Sequence, residues 1–296
     1  MDPEASCVVI DNASGDQTLE RVRSSAPAFL GNIEIIENQR NMGFAAAVNQ
    51  GVRRSGGEFV LLLNPDVRLK TGIQSLVAAS ESYGLSAGKL VDEVGQSQRG
   101  FTIRRFPTPA ALAFETLGLN RLFPSNGVNR RYRYLDRDLE EPDLVEQPAG
   151  AFLMFRKDVW ERLGGFDESF LPVWFEDVDF CKRAVDAGYR IQYLPDVVAT
   201  HEGGHSIRQL SSGCRAVRWY DSLLRYAAKY FSPWEYRAIC LTTILGALPR
   251  SVAGMFAERS FAPVSTGFEI VALAVRRSIS PPRNVSPNVT KRENDL

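Results

Sequence analysis

Apolar positions along this chain fall into short continuous runs separated by stretches with helical spacing. Phe59-Val60-Leu61-Leu62-Leu63 is the clearest run, and its stop at Asn64-Pro65-Asp66 reads as a buried strand ending in a turn. Cys7 to Ile10 is a similar strand, closed by Asp11-Asn12-Ala13-Ser14-Gly15-Asp16, in which every residue but Ala13 favours turns or helix caps. A helix to about Ser25 follows, and Ile33 to Ile36 reads as a second strand. Asn41-Met42-Gly43 then opens a helix over Phe44 to Arg54 that stops at Gly56-Gly57. Thr71 to Tyr83 has helical periodicity. Strands alternating with helices predict an α/β fold with a mostly parallel, helix-covered sheet.

From Leu85 to Arg104 the pattern predicts short strands divided by Gly88, Gly95 and Gly100. Arg104-Arg105-Phe106-Pro107-Thr108-Pro109 cannot continue a strand. Residues 121–141, rich in Arg, Asp and Asn, read as a mobile loop, either a solvated excursion or a basic flap over an anionic substrate. Ala151 to Phe155 is a strand, Lys157 to Leu163 a helix closed by Gly164-Gly165, and Val178, Cys181, Ala184 and Val185 recur at helical spacing until Gly188. Ile191 to Leu194 and Val197 to Thr200 are strands, with His201 directly after them. Beyond Arg215 the chain is helical, over Ala216 to Phe231 and Trp234 to about Phe256. Pro249-Arg250 interrupts the second stretch, leaving it short of the roughly 20 apolar residues of a membrane span, so a surface-lying amphipathic helix is expected. From about Ser278 the composition is that of a disordered tail.

Across 296 residues, 44% hydrophobic and 24% charged content describe a soluble globular protein. Thirty-five basic and 35 acidic residues cancel, which leaves no global field to recruit nucleic acid. Cys7, Cys181, Cys214 and Cys240 are too scattered for a metal or disulfide framework and point to a reducing compartment. Met1-Asp2-Pro3-Glu4 lacks the regions of a signal peptide, so the sequons at Asn284 and Asn288 are expected to be chance matches.

Asp66 arrives at the carboxyl edge of the predicted sheet, where ligands of open α/β folds bind. A carboxylate there suits Mg2+ or Mn2+ shared with phosphates, although an ordinary strand-to-turn junction carries the same residue. Glu176, Asp177 and Asp179 open a helix, and the macrodipole alone would account for them. Three carboxylates so close also raise the proton affinity of at least one, as a general base near neutral pH requires. His201 and His205 are the only histidines, and Gly203-Gly204 between them argues against a helical zinc pair. His201 then reads either as one ligand completing the sphere of Asp66 or as a loop residue bonded to backbone.

Six segments in order, Asp11-Asn12-Ala13-Ser14-Gly15-Asp16, Asn41-Met42-Gly43-Phe44-Ala45-Ala46-Ala47-Val48-Asn49, Asn64-Pro65-Asp66, Gly165-Phe166-Asp167-Glu168, Glu176-Asp177-Val178-Asp179 and His201-Glu202-Gly203-Gly204-His205-Ser206, resemble glycosyltransferase family 2, in its branch of bacterial rhamnosyltransferases. The resemblance runs over roughly residues 6–232. It implies a GT-A fold over residues 1–212, with helices over 213–277 and the tail over 278–296, and inverting transfer of a sugar from a nucleoside diphosphate donor. By position it implies that Asp11 contacts the nucleotide base, that Asn41, Gly43, Asn49 and Asn64 belong to the nucleotide site, and that Asp66 and His201 hold the metal. Asp177 corresponds to the catalytic base, with Glu176 beside it, and Arg104 and Arg105 to a loop at the diphosphate. Gly150, Asp167, Glu168 and Trp174 are expected around the acceptor.

Asn64 departs from the Asp-x-Asp spelling of other branches, so one carboxylate on the ion is expected. The resemblance suggests rhamnose from dTDP-rhamnose as the donor and a glycan or lipid-linked glycan as the acceptor. It places the protein in the cytoplasm with peripheral contact at the inner face of the plasma membrane. The family begins with a further strand and helix, so an upstream segment of roughly 30 to 45 residues is expected. Without that strand a non-catalytic sugar-nucleotide or glycan-binding relic is the alternative. A metal-dependent phosphohydrolase would carry more carboxylates, and a dinucleotide oxidoreductase is disfavoured because no GxGxxG follows the first strand.

Overall fold

The computed structural model describes residues 5–29, 33–203 and 211–281, with side chains from residue 25 to 29 excepted. His205, the sequons and the tail from residue 282 lie outside them. Strands β1 (Cys7–Asp11) and β2 (Ile33–Glu37), linked by α1 (Thr18–Phe29), run parallel with Cys7 opposite Ile33. Helix α2 (Phe44–Arg54) starts from Gly43, whose φ of 87° suits glycine, and it buries Ala45, Val48, Asn49 and Val52 on one face. Strands β3 (Phe59–Leu63) and β4 (Val67–Leu69) flank the Asn64-Pro65-Asp66 turn, followed by α3 (Gln74–Tyr83) and β5 (Gly84–Val91). Gly88 does not break β5 as the sequence suggested. A Cβ there would collide with Phe152 and the Val197 carbonyl, so glycine permits close approach of neighbouring strands.

After β6 (Ile103–Arg104) the chain forms α4 (Pro109–Leu117), α5 (Leu119–Leu122) and α6 (Gly127–Tyr132), and α6 falls within residues 121–141, where a mobile loop is expected. Thr108 caps α4 by accepting from the Ala111 N–H, and Asn126 caps α6 through Asn129. Asn129, Tyr132 and Tyr134 are buried, and Arg133 and Arg137 pair with Glu115 (3.5 Å) and Asp143 (2.5 Å). Two arginines of the segment thus pair with carboxylates of the protein, while Arg121, Arg130 and Arg131 stay exposed. Strands β7 (Asp143–Val145), β8 (Gln147–Pro148) and β9 (Phe152–Arg156) precede α7 (Lys157–Arg162), α8 (Glu176–Asp186) and β10 (Arg190–His201).

The main sheet has the order β3-β9-β5-β10-β4, with β7 also on β10. Strand β10 is parallel to β5, but β9 is antiparallel to β3 and β5, and β10 to β4 and β7. The sheet is therefore mixed rather than mostly parallel, since the alternating pattern along the chain does not specify strand direction. Leu63 pairs with Phe152, so the end of β3 and the start of β9 meet at one edge. Strand β9 is apolar on both faces because both are covered: Leu153 and Phe155 pack towards α2 and α8, Phe152 and Met154 towards Leu76 of α3. Strands β1 and β2 form a separate two-stranded sheet. Among the described residues no ladder occupies the second edge of β1, beside Val8 to Ile10, where a preceding strand is expected, or that of β3.

The remaining helices are α9 (Ser212–Tyr230), α10 (Pro233–Glu258) and α11 (Ala262–Ile279). Helix α10 continues for 26 residues through Pro249 and is long and apolar enough to cross a membrane, contrary to the expected interruption. Packing against α4 and α11 supports it on either side of the proline. The helices do not form a core of their own. Phe170, Phe175 and Val178 share one with Leu223, Tyr226 and Ile239, so packing does not divide at residue 212.

Candidate active site

Strand register brings the Asn64-Pro65-Asp66 turn to the end of β10, where Val67 pairs with His201 and the Glu202 N–H donates to the Asp66 carbonyl (3.1 Å). Asp66 Oδ1 lies 3.6 Å from His201 Nε2, and this carboxylate oxygen is buried with no hydrogen-bond partner. Gln98 fixes the imidazole. Its Nε2 donates to the His201 carbonyl (2.8 Å), so its Oε1 must face His201 Nδ1 (2.9 Å) and accept that nitrogen's proton. Phe101 stacks on the ring at 5.0 Å. Burial lowers the His201 pKa, with Asp66 opposing, which keeps the ring neutral.

Two lone-pair donors thus face each other in a buried place, an arrangement a divalent cation would satisfy. Among the described residues no third His, Cys, Asp or Glu joins them. That leaves coordination positions for phosphate oxygens and water, as Mg2+ or Mn2+ prefers.

Asp177 is held on the 149–151 segment, which leads into β9. Its Oδ2 accepts from the Gly150 N–H (2.9 Å) and its Oδ1 from the Val178 N–H (2.8 Å). The neighbouring Ala151 carbonyl accepts from the Asn64 N–H (3.0 Å), and Ala149 donates to Thr102 (2.9 Å). The backbone that holds Asp177 thus adjoins, one residue on, the carbonyl that receives the Asn64 N–H at the start of the Asn64-Pro65-Asp66 turn. A Cβ on Gly150 would sit 3.0 Å from that of Asp177, so this glycine acts by holding the carboxylate. Burial raises the Asp177 pKa, while the two N–H donors and the Arg104 charge restrain the rise.

The three carboxylates opening α8 have different fates. Glu176 is only 3% exposed, with Oε2 unpartnered, and burial followed by the charge of Asp177 raises its pKa well above the usual range. It is closed to a substrate hydroxyl, which corrects its expected catalytic place beside Asp177. Asp179 is fully buried and ion-paired with Arg183 (2.7 Å) and Lys229 (2.6 Å), and it accepts from Tyr230 (2.6 Å). Trp174 and Phe175, immediately before them, adopt φ of 82° and 71°, uncommon for non-glycine residues. Ser222 donates to the Val173 carbonyl (3.1 Å), and Phe175 packs on Tyr226, so α9 holds this backbone in place. Trp174 is partly buried against the same core.

Asp11, Asn41 and Gly43 come together at the ends of β1 and β2. Asn12 donates to Asn41 Oδ1 (3.0 Å) and accepts from the Met42 N–H (2.9 Å), while Asp11 keeps a buried Oδ1 without a partner. Asn49 does not belong there. Its amide donates to the Phe166 carbonyl and Glu168 (both 2.9 Å) and accepts from Trp160 (3.1 Å) and the Phe166 N–H (2.8 Å), so it clamps the 166–168 loop and has no capacity left for a nucleotide. Asp167 is likewise bonded to Lys229 (2.7 Å) and the Ser169 N–H (3.0 Å), and Glu168 to Asn49. These two acids brace the loop rather than line an acceptor site.

Arg104 and Arg105 part company, as successive residues leaving a strand do. Arg104 lies over Phe101 and acts on Asp177, whereas Arg105 donates to Asp136 (2.8 Å) and covers Tyr134. Arg105 is thus removed from the diphosphate group. No local pattern marks Gln98, Phe101, Lys229 or Tyr230, whose roles arise only from contacts between distant segments.

Comparison with known proteins bears on the family and the fold. The family description Glycosyl transferase family 2 matches residues 2–164, and Glycosyltransferase like family 2 matches residues 129–222. Rhamnosyltransferase WbbL of Escherichia coli (strain K12) is 29% identical over 190 residues, covering 62% of this chain and 67% of that protein. N-acetylglucosaminyl-diphospho-decaprenol L-rhamnosyltransferase of Mycobacterium tuberculosis (strain ATCC 25618 / H37Rv) is 26% identical over 261 residues, covering 82% of this chain and 80% of that one. GalNAc-T7, solved with UDP, GalNAc and Mn2+, shares the fold at a TM-score of 0.55 and 18% identity, over 95% of this chain and 53% of its own. The first family match spans more than half of the sequence, and the chain belongs to glycosyl transferase family 2, with the GT-A architecture.

Proposed function

We propose that this glycosyltransferase moves a sugar, with rhamnose from dTDP-rhamnose the first candidate, to a glycan or lipid-linked glycan acceptor with inversion at the anomeric carbon. The observation that supports the reading is the facing pair of Asp66 and His201, with Asp177 bonded to the Gly150 backbone beside the residue that receives Asn64. Asp177 takes the proton of the acceptor hydroxyl as that oxygen attacks the anomeric carbon, and the electron pair of the breaking bond leaves on the diphosphate. Attack from the side opposite the leaving group inverts the centre. Asp66 and His201 would hold the cation, which when bound supplies positive charge to the departing diphosphate. Asp11 and Asn41, near one another at the ends of β1 and β2, would hold the nucleotide, a reading supported by the unpartnered Asp11 Oδ1. The names of the two relatives above support the choice of rhamnose and of a lipid-linked acceptor.

Screening nucleoside diphosphate sugars for thermal stabilisation, with and without Mn2+, identifies the donor. With that donor, Asp177→Asn is expected to lower turnover by roughly a hundredfold or more while donor affinity stays nearly unchanged. A variant retaining more than a few per cent of wild-type turnover would remove Asp177 from the role of base. Donor binding without any turnover in the wild type would mark a non-catalytic protein instead.

A further inference from the structure

The last two helices turn apolar residues outward. On α10, Trp234, Leu241, Leu245, Leu248, Val252 and Phe256 are each between 47% and 79% exposed. Their spacing of three, four and seven residues places them in one stripe about 33 Å long. On α11, Phe261, Phe268, Val275 and Ile279 repeat the pattern, between 42% and 80% exposed. The opposite faces, with Tyr236, Ile239 and Ala247 on α10 and Ile270, Leu273 and Ala274 on α11, are buried in the core shared with α9. The two helices pack side by side, with Gly267 against Ser251. Their outward stripes therefore adjoin in an apolar plane larger than soluble monomers ordinarily leave to water.

We propose that this plane is a membrane-docking face, with the α10–α11 hairpin lying in the headgroup region of an anionic lipid surface. Charge favours that occupant. Residues 212–281 hold nine basic and four acidic residues in a chain whose charges cancel as a whole, so these helices carry an excess of positive charge. Arg237 lies 6.0 Å from the ring of exposed Trp234, the aromatic-cation pairing that suits a membrane interface, and Arg259 and Arg276 are exposed on the same hairpin. The cytoplasmic leaflet is the anionic one.

Helix α10 lies on this surface rather than crossing it. Crossing would strip Ile239, Cys240 and Thr243 from their core and separate Arg250 from the Glu115 carbonyl (3.5 Å). A second copy of the chain fits less well, because a helix-pairing seam is narrow and regular, whereas this plane is two helices wide and includes Pro249.

This inference goes beyond the transfer reading. Vesicle binding needs no turnover, so either can fail alone. The full chain is floated with vesicles of phosphatidylcholine alone and of phosphatidylcholine mixed with phosphatidylglycerol. Binding to the mixed vesicles is expected, weakened by salt and reduced roughly tenfold or more in Leu241→Glu/Leu245→Glu, whose thermal unfolding should match the wild type because both sites are exposed. Brominated lipids should quench wild-type tryptophan fluorescence, and Trp234→Phe should lose that quenching, which tests the face even if the double variant fails to fold. Absence of wild-type flotation on either vesicle, equal flotation of the folded double variant, or quenching unchanged in Trp234→Phe would overturn the proposal. A wild-type dimer dispersed by the double substitution, with no vesicle binding, would overturn it in favour of a second copy.

Discussion

One neutral amide decides which nitrogen of His201 faces Asp66. Gln98 can satisfy the His201 carbonyl only through its NH2 group, so its oxygen holds Nδ1–H and Nε2 is left with a lone pair. Gln98→Ala is expected to weaken Mn2+ binding roughly tenfold to a hundredfold in titration calorimetry, and wild-type affinity in that variant would refute the orienting role. Glu176 makes a separate prediction about pH. Its folded-state pKa is raised, so the folded protein holds a proton that the unfolded chain has already released as pH climbs above the usual carboxylate range. Stability therefore falls with rising pH through that window, by up to about 1.4 kcal/mol per pH unit for one proton. Glu176→Gln should remove this component, and chemical denaturation at several pH values should show its advantage over wild type growing from acid towards neutral pH.

At the level of elements, close approach depends on glycines whose neighbours come from elsewhere in the chain. A Cβ on Gly246 would strike the Thr116 carbonyl and Leu117 backbone, where α10 crosses α4. Gly246→Val should cost about 1 to 3 kcal/mol in urea denaturation, since backbone on both sides must move. Gly127→Ala, with nothing within 4 Å of the new methyl, should stay within about 0.5 kcal/mol of wild type. The helix starting after Gly43 and the strand before Asn64 were legible because local pattern and turn chemistry agree there. Helix α6 was not, because the Asn and Arg of residues 126–133 look solvated until their partners are seen.

For the whole molecule, the helices after residue 211 support the segment from Asp167 to Asp179. Lys229 bridges Asp167 and Asp179, Tyr230 bonds Asp179, and Tyr226 supports Phe175. A chain ended at Ser211 would expose Phe170, Phe175 and Val178 and leave Asp179 without two of its partners. Such a truncation is expected to lose a single cooperative unfolding transition by calorimetry, and retention of one would show that residues 1–211 fold alone.

Residue order alone determined the α/β class, the strand that delivers Asp66, the carboxylates opening α8 and the histidine after β10, because apolar periodicity and turn chemistry are local properties of the chain. Tertiary structure alone decided that β9 enters antiparallel, that Asn49 and Asp167 brace a loop, that Arg105 points away and that Gln98 orients His201. Each of those depends on which distant group occupies the neighbouring space, and buried polar atoms take their roles from the partners they meet there.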